Sequence, residues 1–216
     1  VVGLAFIPPG NGEFTGYRTG MQWKEICRIK AITYRNNPIL KFCNPGIPGR
    51  LGSEGPSLAR VAALKKLLRS CGIPFLDINI PVEMVGFFVV VSIKRSSQGN
   101  IATQIWNAIR SQGWQHRLVM VVEDDVDVYN MAQVLHTIAT RCNPATGMRI
   151  DTSDVTTALM PYLRQEERQW RKGSSALFDC TWPVEWTKEN DIPPLSSFSA
   201  IYPKKIIEKV EKNWGK

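Results

Sequence analysis

Histidine is scarce in this sequence, with only two residues, His116 and His136, in a chain of 216. Neither has a cysteine or carboxylate at metal-ligand spacing, so both read as structural. The five cysteines, Cys27, Cys43, Cys71, Cys142 and Cys180, contain no CxxC pair. That excludes a zinc ribbon or a dithiol redox centre and predicts reduced, mostly buried thiols of a cytoplasmic protein. No GxSxG, P-loop, HExxH or GxGxxG motif occurs, which removes the common hydrolase and nucleotide-binding readings. Long apolar runs are missing too. The longest, Val85–Ile93, falls far short of the roughly 20 residues that span a bilayer, so no membrane partner is expected. The first residues lack the basic stretch of a secretory signal, and there is no initiator Met. The chain is expected to begin within a longer polypeptide, as a fragment, a processed chain or a trimmed piece.

Lys and Arg outnumber Asp and Glu by 27 to 19, a formal charge of +8, yet no basic run exceeds two residues. Lys65-Lys66 and Lys204-Lys205 sit in amphipathic helical patterns and read as solvated faces. Nucleic acid is therefore not an expected partner. At 44% hydrophobic and 21% charged residues the composition is that of a globular chain, long enough to bury a core without staples.

Residues 1–45 are rich in Gly, Pro and short β-prone runs, and Cys27–Tyr34 alternates as a half-buried strand does. Residues 44–56 form a Gly/Pro loop, which places a boundary near residue 45. Beyond it, helical spacing over Ser57–Cys71 stops at Gly72. Phe75–Ile80 reads as a short strand and Gly86–Ile93 as a central one. Ile101 to Ile109 mark a helix ending at Gly113, Arg117–Val122 a buried strand, and Asn130–Cys142 a third helix. The alternation predicts an α/β layer. The short link between the first two of these strands predicts an antiparallel pair, hence a mixed sheet. Residues 143–202 resist assignment. Pro203 fits a first helical position, and Ile206, Ile207, Val210 and Trp214 make one apolar stripe that has to dock on this chain or on a partner subunit.

Four acids lie in Glu123-Asp124-Asp125-Val126-Asp127, after a strand. This pattern reads as a solvated turn with caps, with Mg²⁺ binding as the alternative. Glu13, among glycines, and Glu54, in the Gly/Pro loop before the first helix, are loop acids of the kind that carry catalysis, or else ordinary surface residues. For Glu54 the specific structural role would be capping the helix or complementing its dipole.

Gly-Glu-Phe-Thr-Gly-Tyr at 12–17, Ala-Ile-Thr-Tyr-Arg-Asn-Asn-Pro-Ile-Leu at 31–40, Val-Val-Glu-Asp-Asp-Val-Asp-Val at 121–128 and Ala-Thr-Arg-Cys-Asn-Pro at 139–144 stand in one order. Together they resemble the motifs of UbiD-family decarboxylases. The resemblance implies an α/β fold: the end of a split β-barrel over 1–45, then a mixed-sheet C-terminal α/β domain over 46–216, with an oligomerisation helix at 203–214. It implies reversible decarboxylation of a small-molecule aromatic or α,β-unsaturated carboxylic acid, with prenylated FMN, Mn²⁺ (or Mg²⁺) and K⁺ as cofactors. Glu13 matches the glutamate that ligates the metal beside the flavin phosphate, a hard oxygen donor suited to Mn²⁺. Glu54 matches the active-site glutamate that acts as general acid, which needs a pKa raised by burial. The family's phosphate-contacting lysine falls on Ser175, four residues before Asp179; Lys172 stands nearby and takes that cofactor-binding role. Where a second acid is expected ahead of Glu54, Arg50 stands instead. The acidic cluster gains no catalytic role.

The remaining cofactor contacts belong to the family's N-terminal half. The implied partners are therefore that half, or a separate subunit, and further copies in a homo-oligomer; alone, the chain is expected to be inactive. The alternative is a non-catalytic oligomerisation or scaffold module derived from such an enzyme.

Overall fold

The computed structural model describes residues 3–7, 15–17, 22–40, 54–95, 99–113, 116–187 and 190–214. The chain divides into two units, Val1–Thr181 and Trp182–Lys216.

In the first unit, β1 (Gly3–Ile7) and β2 (Gln22–Ile26) form an antiparallel pair, with Gly3 opposite Ile26 and Ile7 opposite Gln22. The alternating segment Cys27–Tyr34 is not a strand, which corrects the expectation from its pattern. It is irregular and exposed throughout, with Ile32 at 74% and Tyr34 at 79% exposure. Alternation stabilises a strand only when a neighbouring ladder takes its amides and a layer covers its apolar face. Among the described residues neither is supplied.

A five-stranded sheet follows, made of β3 (Asp77–Asn79), β4 (Phe88–Ile93), β5 (Leu118–Glu123), β6 (Met148–Val155) and β7 (Lys172–Asp179) in the order β3-β4-β5-β7-β6. The inner pairs β4–β5 and β5–β7 are parallel, while β3–β4 and β6–β7 are antiparallel. The sheet is therefore mixed, as the short β3–β4 link predicts. All six residues of β4 are buried, the signature of a parallel strand covered on both faces.

Each face has its own helices. Val89, Val91, Val119, Val121 and Leu177 pack with Leu64 and Leu68 of α1 (Glu54–Ser70) and Ile101, Ile105 and Ile109 of α2 (Ile101–Ser111). Phe88, Val90, Met120 and Val122 face the other way, onto Val134 of α3 (Met131–Arg141) and Cys180. The helix limits follow local chemistry. Gly72 takes the left-handed φ of 66° that lets the Ile73 amide donate back to the Leu68 carbonyl at 3.0 Å, closing α1. The Asn130 side chain accepts from the amides of Ala132 and Gln133, starting α3. Of the four described cysteines only Cys180 is buried, Cys142 is half-buried, and Cys27 and Cys71 are exposed; the expectation of mostly buried thiols is corrected accordingly.

The stretch that resists sequence assignment contains β6, a short helix α4 (Gln165–Trp170) and β7. In the second unit Trp182 stacks on Trp186 with ring centres 5.7 Å apart. Helix α5 (Phe198–Ile201) precedes α6 (Lys204–Asn213), with Pro203 just ahead of α6 and Trp214 just after it, 83% exposed.

Candidate functional site

Glu13 lies outside the described residues. Glu54 is not a loop residue: it is the first residue of α1, because Pro56 fits within a first helical turn whose amides have no intrahelical acceptors. Lys172 opens β7 opposite Val155, exposed, and no ion pair among the described residues includes it. Ser175, three residues on, is buried at 2% exposure.

The acidic turn after β5 is committed to the fold. Glu123 is buried and meets Arg95 at 3.2 Å; Asp125 takes both terminal nitrogens of Arg141, at 2.9 and 2.5 Å. The hydrogen bonds that Arg141 donates to Asp125 outweigh burial and raise the Arg141 pKa. Asp127 accepts from the Tyr129 amide at 2.9 Å. Among the described residues no three His, Cys, Asp or Glu side chains converge as a metal site.

The opposite edge of the sheet, where the parallel strands begin, holds groups that sequence pattern does not bring together. Arg117, 2% exposed, lies 3.2 Å from Asp154; Arg110 of α2 meets Asp154 at 3.1 Å and Asp151 at 2.6 Å and lies over the Trp106 ring at 4.6 Å. Burial by itself would raise the Asp154 pKa, but the Ser175 hydroxyl, Arg117 and Arg110 outweigh it and hold it below the usual range. Asp151 and Asp154 are three residues apart and would face opposite sides of a regular strand. A register irregularity between them sets Asp151 opposite Ser175 and Asp154 opposite Gly173, two residues apart on β7, so both acids share one face.

Next to this network, the His116 Nδ1 lies 2.9 Å from the Gly86 carbonyl. A carbonyl only accepts, so Nδ1 carries the proton and Nε2 a lone pair. Burial pushes the His116 pKa down to about 4, helped by the charges of Arg60 and Arg117 against the Gly86 hydrogen bond; the ring is neutral at pH 7. Gly86 takes φ 80°, and a Cβ there would stand 2.5 Å from Nη1 of Arg60. Arg60, His116 and Gln112 line a cavity of about 220 Å³ between α1 and α2, together with Ala63, Leu64, Leu67 and Ile109. The one signal for this cluster in the sequence is the cation Arg117 immediately before an apolar strand.

Residues 57–180 match the model of the 3-octaprenyl-4-hydroxybenzoate carboxy-lyase C-terminal domain. The chain belongs to the UbiD family. It is 27% identical over 219 residues to ferulic acid decarboxylase 1 of Saccharomyces cerevisiae, covering 94% of this chain and 42% of that protein. An uncharacterized protein of Archaeoglobus fulgidus is 34% identical over 140 residues, 62% of this chain and 28% of its own length. The fold is that of UbiD-class enzymes. Vanillic acid decarboxylase of Sedimentibacter hydroxybenzoicus in closed form superposes with a TM-score of 0.78 at 22% identity, over all of this chain and 44% of that one. The UbiD-class enzyme HmfF of Pelotomaculum thermopropionicum, solved with FMN, superposes with a TM-score of 0.76 at 18% identity, over 92% of this chain and 43% of that one. The chain thus spans about two fifths of the ferulic acid decarboxylase relative.

Proposed function

We propose that this chain is the C-terminal part of a prenylated-FMN-dependent reversible carboxy-lyase acting on aromatic or α,β-unsaturated carboxylic acids. The family match over residues 57–180 carries the reading, and the four ordered motifs support it. In it, residues 1–45 complete a split β-barrel and residues 46–216 form the C-terminal domain. Helix α6 and the exposed Trp214 serve assembly into a homo-oligomer. The remaining cofactor contacts come from an N-terminal portion or a separate subunit. The complete enzyme is cytoplasmic; among the described residues no helix is long and apolar enough to cross a membrane.

Prenylated FMN, when bound, supplies the electron sink for the charge left by departing CO₂. The chain's own residues hold and protonate. Lys172 fits the cofactor phosphate in charge and access: it is an exposed ammonium without a carboxylate partner among the described residues. Glu13 would supply one hard oxygen to Mn²⁺ (or Mg²⁺), and K⁺ would help offset the phosphate charge. Glu54, at the start of α1, delivers the proton that replaces CO₂.

The test is to co-express the chain with a matching N-terminal portion and a flavin prenyltransferase, and to measure CO₂ release from aromatic and cinnamic-type acids. Glu54→Gln is expected to lower kcat by about 10²-fold or more, the size of a general-acid contribution. No release by the wild type, or full release by the variant, overturns the mechanism. A second reading, a non-catalytic oligomerisation or scaffold module, draws on Ser175, which is buried where the resemblance expects a lysine. A purified complex with neither flavin absorbance nor Mn²⁺ favours it.

A further inference from the structure

We propose that the cavity between α1 and α2 binds a small organic monocarboxylate, its anionic head on Arg60 and its apolar body on Leu64, Leu67 and Ile109. Three observations carry this. First, Arg60 is a half-buried cation that no ion pair among the described residues includes. The charges acting on the adjacent His116 are also both positive, those of Arg60 and Arg117. Arg117 is paired with Asp154 and a neutral His116 carries no charge, so among the described residues Arg60 is the unpaired cation of the cavity. Secondly, the guanidinium lies close over Gly86: a Cβ built there would stand 2.5 Å from Nη1, so the glycine leaves this end of the cavity open to the cation. Thirdly, beyond the cation the lining is mostly aliphatic, Ala63, Leu64, Leu67 and Ile109 alongside Gln112 and His116, so an inorganic oxyanion would satisfy Arg60 and leave the apolar part of the cavity unfilled. At about 220 Å³ the space lies below the roughly 300–1,000 Å³ of drug-sized sites, which selects a single-ring or short-chain acid.

The inference uses none of Glu13, Glu54 or Lys172, and its test reads binding rather than turnover. Its failure and the failure of the decarboxylase reading are therefore distinguishable. The probe is benzoate, with benzyl alcohol as a neutral ligand of the same ring, titrated into the full chain while the histidine Cε1–H resonances are followed by NMR. The sequence holds only two histidines, and His136 is exposed on α3 and serves as an internal reference. Benzoate is expected to shift the His116 resonance saturably and to raise its apparent pKa from about 4, because an anion beside the ring favours the imidazolium. The His136 resonance stays in place, and benzyl alcohol at the same concentration produces no saturable shift. Arg60→Gln is expected to weaken benzoate by about tenfold or more, the worth of one charge-assisted hydrogen bond. Ala63→Phe, at an exposed position of α1 on the cavity rim, is expected to abolish binding with Arg60 intact. No saturable shift, an equal response to benzyl alcohol, or undiminished binding in either folded variant overturns the proposal.

Discussion

Strands β4 and β6 belong to one sheet and are held there by different forces. β4, in the interior, buries all six residues, Val89, Val90 and Val91 completely. β6, at the edge, buries none, and leaves Ile150 64% and Val155 55% exposed. The interior strand gains its stability from apolar surface removed from water on both faces. The edge strand relies on its ladder with β7 and on Asp151 and Asp154 reaching Arg110 and Arg117. The first force does not depend on the charge state of any side chain; the second depends on charge and on how well water is kept out.

The contrast can be broken in order of size. Met120→Ala on β5, fully buried, leaves a cavity in the covered centre and is expected to cost about 2–5 kcal/mol in urea unfolding. A loss below about 1 kcal/mol would show that the centre repacks freely. Arg117→Ala removes the more deeply buried of the two cations on Asp154 and is expected to cost about 3 kcal/mol, with Arg110 still in place. The same variant should raise the depressed Asp154 pKa. Asp154 stabilises the fold above its unfolded pKa, and that contribution is lost as pH falls through its folded value. Removing Arg117 should therefore flatten the acid limb of stability below about pH 4, the ordinary carboxylate range; an unchanged limb would remove Arg117 from the network.

His116 gives an effect confined to another pH window. Its folded pKa of about 4 lies under the ordinary 6.5, so the unfolded chain takes up the proton first. Its stabilising contribution is complete above pH 6.5 and is lost as pH falls toward 4. His116→Gln should abolish that slope, and a variant retaining it would assign the slope elsewhere. The smallest change belongs to the edge surface: Ile150→Thr is expected to shift stability by less than about 0.5 kcal/mol. A loss comparable to that of Met120→Ala would mean that this face of β6 is covered in solution.

The same contrast explains what could be read in advance. Helices α1, α2 and α3 and strands β3, β4 and β5 carry strong apolar periods bounded by Gly72, Gly113 and Asn130, and each was legible. β7 was missed because Lys172–Ser175 opens it with polar residues, and β6 because its sequence, Met-Arg-Ile-Asp-Thr-Ser-Asp-Val, has no buried face to impose a period. The converse error was Cys27–Tyr34, whose alternation has no neighbour to act on among the described residues. Arg60, which lines the cavity between α1 and α2, looked like any charged residue on a helix face.

The sequence by itself determined the family, through its ordered motifs, the buried central strands, through apolar runs too continuous to be exposed, and the mixed sheet, through the short link between β3 and β4. Only the tertiary structure decided that Asp151 and Asp154 share a face, that Arg60 lies close over Gly86, and that His116 is neutral. Each of these depends on a register irregularity, a backbone φ or a degree of burial, and none of those quantities is local to the residues it governs.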